Sequence, residues 1–174
     1  QEKARELAIL LTRYQYDSRL LLVPFADVQQ QVILTVPPPL RVVLYRRLMM
    51  RIAEAVARLH RARALVTGEV VGQVASQTLE NLNRINEVVE LPVLRPLIGM
   101  DKEEITAEAQ RLGTYPISII PDQDCCTLFT PKHPSTKARQ REVELAEASL
   151  PMRELIDKAA GAAVVEEFKF PVVK

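Results

Sequence analysis

The sequence predicts an α/β fold with a mainly parallel sheet flanked by helices. Apolar runs with the length of buried strands lie at 19–25, 64–67 and 117–120. Segments with helical periodicity lie at 46–60, 72–86 and 102–112. Strands that alternate with helices are typical of parallel sheets, which bind ligands beyond the carboxyl ends of their strands.

Further elements are predicted more locally. Helices are expected at 2–15, 26–36, 136–148 and 152–160, and strand-like segments at 40–45 and 91–98. The prolines at 37–39 break the chain, and those in 91–98 predict an edge or irregular strand. Apolar residues alternate with Lys169 and Pro171 near the end, so the tail is expected to add an edge strand.

The length and composition predict one soluble domain over 1–174, and the two helical patterns near the end make 136–174 a helical tail. Of the 174 residues, 48% are hydrophobic and 26% charged, and no apolar run reaches membrane-spanning length. The net charge of +1 means that any nucleic-acid surface must be local. The adjacent Cys125 and Cys126 cannot build a disulfide framework, which favours a reducing cytoplasm and a reactive or metal-binding pair over a buried structural one.

The stretch Ala64–Leu82 is the first candidate site. A short strand ends at Thr67-Gly68-Glu69, and the absence of a Cβ at Gly68 allows a ligand to approach the backbone. In a helix beginning near Val71, Gln73 and Gln77 would lie on one face. This arrangement suits recognition of a nucleotide base beside its phosphates. An ordinary βα turn with two solvated glutamines explains the segment equally simply.

Charged groups supply further candidates. Arg46, Arg47 and Arg51 crowd the first turns of the 46–60 helix, where they oppose the helix dipole unless an anion lies nearby. A phosphate or an RNA backbone would be such an anion; solvated arginines are the alternative. Asp101 is predicted to cap the 102–112 helix in a capping box, and this leaves Lys102 without an explained role.

Four motifs in order, TGE, GQVASQTLENL, LPVLRPLIGMDKEEI and DCCTLFTPKHP, resemble the bacterial tRNA 4-thiouridine synthetases over about 23–134. The resemblance implies an adenine-nucleotide α-hydrolase-like, ATP-pyrophosphatase (thiolation) domain. Val70-Val71 replaces the usual Ser-Leu, and the SGGxDS phosphate loop and the RNA-binding domain of the family are absent. We therefore expect 1–174 to be the C-terminal part of that domain, inactive alone and weak in ATP binding.

The resemblance also implies roles for individual residues. Arg46, Gly68 and Gln77 match nucleotide-contacting positions, Lys102 matches a functional lysine, and Cys126 rather than Cys125 matches the reactive cysteine. The expected activity is ATP-dependent conversion of a tRNA uridine to 4-thiouridine through an adenylated intermediate and a cysteine persulfide, together with sulfur supply for thiamin thiazole.

The implied cofactors are ATP and Mg²⁺, with no protein metal site. The implied partners are tRNA, a cysteine desulfurase and a second copy in a homodimer, with no membrane. The thiol is expected in a mobile loop, followed by a basic segment suited to tRNA or simply solvated: Lys132, His133, Lys137, Arg139 and Arg141. Another adenylating tRNA thiolase, or a non-catalytic module that binds RNA or dimerises, are the alternatives.

Overall fold

Two packing units are present in the computed structural model, which describes residues 1–121, 131 and 133–171. The helices are α1 (Glu2–Gln15), α2 (Ala26–Thr35), α3 (Arg41–Leu59), α4 (Leu79–Asn86), α5 (Lys102–Leu112), α6 (Tyr115–Ser118), α7 (Gln140–Ala148) and α8 (Met152–Gly161). The strands are β1 (Asp17–Leu22), β2 (Leu65–Val66), β3 (Val93–Leu94) and β4 (Val164–Lys169), and short 3-10 turns cover Pro38–Leu40 and Ala75–Gln77.

The first unit comprises Gln1–Val23, Met100–Gln123 and Ala163–Lys174. Its β1 and β4 pair antiparallel, from Asp17 opposite Lys169 to Leu22 opposite Val164. Helix α1 packs against this pair, and Arg5 Nε donates to both carboxylate oxygens of Glu166 at 2.9 and 2.8 Å.

The second unit comprises Pro24–Gly99 and Asp124–Ala162. Helix α3 lies at its centre and packs against α2, α4 and α8. The side chains that form its core include Val28, Val32, Val43, Leu44, Leu48, Ile85 and Val143, each at most 2% exposed. Strands β2 and β3 run parallel, with Leu65 opposite Val93 and Val66 opposite Leu94.

An α/β fold is confirmed, whereas the mainly parallel sheet is present only in part. The strand predicted at 19–25 forms at 17–22, but it pairs antiparallel, and none of its residues is fully buried. The β2 strand within 64–67 is parallel to β3, and Pro92 and Pro96 flank the two residues to which β3 is confined. The predicted edge strand of the tail forms earlier, as β4.

Two apolar segments predicted as strands are instead helical, wholly or in their first residues. The 117–120 prediction is wrong because Pro116 lies in the first turn of α6, and Ile119 and Ile120 follow it with 59% and 47% exposure. The strand-like interpretation of 40–45 is also wrong. The Pro38–Leu40 turn leads directly into α3, because the fixed φ of proline suits the start of a helix.

The helix predicted over 72–86 begins seven residues late. Gly72 has a φ of 81°, which favours glycine. Its N–H donates to the carbonyl oxygen of Gln77 at 2.9 Å, so residues 72–77 form a closed turn. Helix α4 begins only after Thr78, whose hydroxyl caps Asn81 N–H at 3.2 Å. Gln73 and Gln77 therefore do not share a helix face, and Val71 is exposed. The predicted helix 102–112 and its capping box are confirmed.

Among the described residues, no helix combines the length and the apolar character needed to cross a membrane.

Candidate functional site

Glu69, which follows β2, lies at the centre of a buried ionic cluster. Only 2% of Glu69 is exposed, and its carboxylate accepts hydrogen bonds from three side chains. Arg46 Nη2 donates to Oε1 at 2.6 Å, Arg95 Nε donates to Oε2 at 2.8 Å, and Thr67 Oγ1 donates to Oε2 at 2.9 Å. The cluster joins α3 to the carboxyl ends of β2 and β3.

The Glu69 carboxylate is held in its charged form. Burial alone raises its pKa, but the hydrogen bonds from Arg46, Arg95 and Thr67 outweigh burial, and the pKa lies below its ordinary value. One negative charge thus faces two positive ones, so the cluster carries a net positive charge at neutral pH.

Gly68 is exposed beside this cluster and leaves space above the backbone. A Cβ added there would meet Leu97 Cδ1 at 4.0 Å, an ordinary contact, and the φ of Gly68 lies outside the left-handed region. Packing against the described residues therefore does not require glycine at this position. The open space is consistent with a ligand that approaches the backbone closely.

Gln77 ends the 3-10 turn that packs against α3. Its backbone closes the 72–77 turn, and its side-chain Oε1 is buried without a hydrogen-bond partner in the part of the chain that the structure describes. A buried acceptor left unpaired costs about 1–3 kcal/mol, so such a group calls for a partner. A ligand donor would supply one.

Asn81 anchors the chain that follows the cysteine segment. Asn81 is fully buried, and its Nδ2 donates to Ala75 O at 2.6 Å and to Ser135 O at 2.8 Å. Its Oδ1 accepts from Ala138 N at 2.9 Å, and Thr78 Oγ1 donates to Thr136 O at 2.7 Å. The turn that carries Gln77 is therefore tied to 135–138.

Of the other two arginines of the predicted cluster, Arg47 is buried in ion pairs, whereas Arg51 is partly exposed and its Nε has no partner among the described residues. Arg47 is 3% exposed and forms a bidentate pair with Glu147 at 2.7 and 2.8 Å, as well as bonds to Glu87 and to Arg84 O. Arg51 also pairs with Glu147 at 3.3 Å. Because α3 begins at Arg41, these residues lie beyond its first turn, and internal carboxylates neutralise them.

The remaining predicted site residues make no hydrogen bond to the Glu69 cluster within the part of the chain that the structure describes. Lys102 is the exposed first residue of α5 in the first unit. Cys125, Cys126 and Lys132 lie outside the described residues, so the expectation of a mobile loop stays untested. His133, Lys137, Arg139 and Arg141 are exposed. Within the described ranges, no group of three or more His, Cys, Asp or Glu side chains is arranged to hold a metal ion.

A groove of about 810 Å³ lies along α4 and residues 89–98 and adjoins the Glu69 cluster at Arg95. Asn86 and Arg95 line it, but Arg46, Gly68 and Gln77 do not. The candidate site is therefore defined by the Glu69 cluster and the neighbouring turn, and not by this groove.

Sequence reasoning missed Arg95 and Asn81 as site residues. A signal for Arg95 was present, because Arg95 directly follows one short apolar run and Glu69 lies three residues after another. The carboxyl ends of neighbouring parallel strands meet at one edge of a sheet, so an opposite-charge pair was predictable there. Asn81 gave no such signal, because its partners are backbone groups distant in sequence.

A glycine after a parallel strand, with a net positive cluster beside it, is typical of α/β proteins that bind anionic ligands at the carboxyl ends of their strands. The comparisons specify the family. Residues 1–152 match the family model described as thiamine biosynthesis protein (ThiI), and the chain belongs to that family.

The relatives carry a consistent description. The chain is 57% identical to a probable tRNA sulfurtransferase from Thermus thermophilus, over 98% of this chain and 42% of that protein. It is 49% identical to one from Moorella thermoacetica, over 90% of this chain and 40% of that protein. The chain thus spans about two fifths of the length of these curated relatives.

A solved structure has the same fold. The chain superimposes on a 4-thiouridine synthetase in complex with RNA and bound ATP, with a TM-score of 0.90 and 42% identity. The match covers 95% of this chain and 44% of that one.

Proposed function

We propose that this chain belongs to an enzyme that uses ATP to transfer sulfur to a uridine of tRNA, forming 4-thiouridine, and that also supplies sulfur for thiamin thiazole. The observation that carries the proposal is the Glu69 cluster, which presents Arg46 beside Gly68 at the end of β2. The proposal is also supported by the structural similarity of this chain to a 4-thiouridine synthetase with bound ATP. The chain would form the C-terminal part of an adenine-nucleotide α-hydrolase-like domain with a mainly parallel sheet, and the enzyme would act in the cytoplasm.

The residues present fit an ATP ligand. Arg46 is 34% exposed at its side chain and offers N–H donors to a phosphate. The open space at Gly68 admits close approach to the backbone, and Gln77 Oε1, which has no partner among the described residues, would accept a hydrogen bond such as an adenine amino group provides. We propose that these three residues contact one nucleotide. Mg²⁺ bound to the phosphates would offset their charge.

The proposed chemistry has two stages. The uridine O4 attacks the α-phosphate of ATP, pyrophosphate leaves, and O4 becomes part of a good leaving group. The terminal sulfur of a persulfide on Cys126 then bonds to C4, and the C4–O4 bond breaks to release AMP. A second thiol attacks Cys126 Sγ, releases the thiouridine sulfur and forms a disulfide, which a cellular dithiol reduces.

Other residues and partners complete the proposal. Lys102 would contribute a positive charge near the nucleotide phosphates. The persulfide sulfur would come from cysteine through a cysteine desulfurase, and the exposed Lys137, Arg139 and Arg141 would contact the tRNA backbone. Assembly as a homodimer is a further expectation, which light scattering of the full-length protein tests.

Nucleotide binding by the full-length protein tests the first stage. We expect calorimetry to show ATP binding, with Arg46→Gln weakening it about tenfold or more. Arg58→Gln is the matched control, since Arg58 lies on the same helix and pairs with Glu54 and Glu90 at the surface. A full-length protein that does not bind ATP, or equal effects of the two substitutions, would contradict the proposal.

A further inference from the structure

Glu69 connects two arginines that differ in how many donors they have left. Arg95 uses Nε on Glu69 Oε2 and both Nη atoms on Asn86 Oδ1, at 3.2 and 3.3 Å. Arg46 uses Nη2 on Glu69 Oε1, its only side-chain hydrogen bond within the described residues. Arg95 is therefore committed to holding Glu69, whereas Arg46 retains donors for a further acceptor.

The contacts form a chain through the second unit. It runs from Asn86 at the end of α4, through Arg95 after β3 and Glu69 after β2, to Arg46 on α3. Thr67 fixes the same carboxylate from the strand side at 2.9 Å. Because Glu69 is 2% exposed and bonded on both oxygens, it can direct a long arginine side chain that otherwise has many rotamers.

We propose that Glu69 is a positioning residue that aims the free donors of Arg46 at an anionic group of the nucleotide. The inference rests on the proposed function, because it assumes that the ligand of Arg46 is ATP. Glu69 does not touch the ligand in this account. It acts by fixing the direction of the planar guanidinium, which favours paired hydrogen bonds to phosphate oxygens.

The charge of Glu69 acts in the opposite direction. A carboxylate near a phosphate repels it, so its loss would by itself strengthen ATP binding. Arg95, at 2.8 Å, already neutralises that charge, which makes the repulsion small. The loss of Arg46 orientation is therefore expected to outweigh the loss of repulsion, so Glu69→Gln is expected to weaken ATP binding.

The chain offers a matched control in Glu147. Glu147 is also a largely buried carboxylate in the second unit, and it also bridges two arginines, in this case Arg47 and Arg51, both on α3. Among the described residues, no hydrogen bond or ion pair joins Glu147 to Arg46. Glu69→Gln and Glu147→Gln thus remove the same kind of charge from the same kind of site. Only Glu69→Gln removes the carboxylate that bonds to Arg46.

The experiment measures ATP dissociation constants of the full-length protein by calorimetry, with melting temperatures alongside. We expect both variants to lower the melting temperature. Glu69→Gln should weaken ATP binding about tenfold, and Glu147→Gln less than about threefold. In an Arg46→Gln background, adding Glu69→Gln should cause no further loss, because a residue that acts through Arg46 has nothing left to position.

Three results would overturn the positioning role while leaving ATP binding by the wild-type protein intact. These are unchanged or tighter ATP binding in Glu69→Gln, equal losses in Glu69→Gln and Glu147→Gln, and additive losses in the double variant. A wild-type protein that does not bind ATP would overturn the proposed function, and the positioning role with it.

Discussion

Asn81 Oδ1 accepts a hydrogen bond from Ala138 N at 2.9 Å, across 57 positions of sequence. The same side chain donates to Ser135 O and Ala75 O, so one buried amide joins helix α4, the Gln77 turn and the segment after the cysteines. This arrangement fixes 135–138 next to the candidate nucleotide site. In sequence, Cys126 precedes Ser135 by nine residues. Nine residues of extended chain span roughly 30 Å, which is the greatest possible distance between the two Cα atoms.

Replacing Asn81 by Ala should loosen this anchor. The buried Ala138 amide and the partly buried carbonyls of Ala75 and Ser135 would lose their partners, at about 1–3 kcal/mol for each group that stays buried. Hydrogen exchange of the full-length protein should show faster exchange at the Ala138 amide by at least about tenfold. Asn83→Ala is the control, because Asn83 is an exposed residue of the same helix. Unchanged protection at Ala138 in Asn81→Ala would contradict the anchoring role.

Replacing Gln77 by Met should separate folding from binding. Met has similar length but no buried acceptor, so stability without ATP should be unchanged or higher by up to about 1–2 kcal/mol. Thermal shift with and without ATP should show a smaller stabilisation by ATP than in the wild type. Gln73→Met, at an exposed position of the same turn, should leave that stabilisation unchanged. Loss of stability without ATP would instead identify Gln77 as a structural residue.

Replacing Gly68 by Ala should affect the ligand and not the fold. The added Cβ meets only Leu97 Cδ1 at 4.0 Å, so the melting temperature should change little. If the nucleotide approaches this backbone closely, the Cβ should weaken ATP binding about tenfold or more. Gly161→Ala, in equally open space at the end of α8, should not affect ATP binding. Equal ATP affinities for Gly68→Ala and the wild type would exclude close approach at Gly68.

The stability of the second unit should depend on acidic pH through Glu147. Burial raises the pKa of Glu147, but the hydrogen bonds and charges of Arg47 and Arg51 outweigh burial and hold the pKa below its ordinary value of 4.5. A depressed pKa means that the carboxylate stabilises the folded state above pH 4.5 and that this contribution is lost as pH falls through the lower, folded-state pKa.

Glu147→Gln should therefore be less stable than the wild type at neutral pH, and the difference should narrow below about pH 4.5. Urea unfolding followed by circular dichroism between pH 7 and pH 3 measures this. A difference that stays constant over the whole range would show that Glu147 contributes through packing and not through its charge.

Local signals in the sequence predicted several elements correctly. The Asp101 capping box and Gly113 predict the ends of α5, because cap residues act through neighbouring backbone groups. The strand and turn at 64–68 were likewise predictable from a short apolar run that ends in glycine. The direction of the pairing for 17–22 was not, because β4 lies far away in sequence.

Elements governed by competing signals were predicted wrongly. The apolar run 117–120 has strand-like composition, but Pro116 and the packing of α6 against α1 and α5 make the segment begin as a helix. The apolar pattern of 71–85 is helical in period, yet the left-handed Gly72 delays the helix to Leu79. The ion-pair partners of Arg46, Arg47 and Arg51 were not predictable. These partners are Glu69, Glu87 and Glu147, which only the tertiary fold brings close.

The most direct test of the account measures 4-thiouridine in tRNA incubated with the full-length protein, ATP, Mg²⁺, cysteine and a cysteine desulfurase. Mass spectrometry of the digested nucleosides detects the replacement of one oxygen by sulfur. We expect ATP-dependent 4-thiouridine with the wild-type protein and measurable product with Cys125→Ser. We expect no product with Cys126→Ser, with ATP binding preserved. Normal product formation by Cys126→Ser, or none by the wild-type protein, would contradict the proposed function.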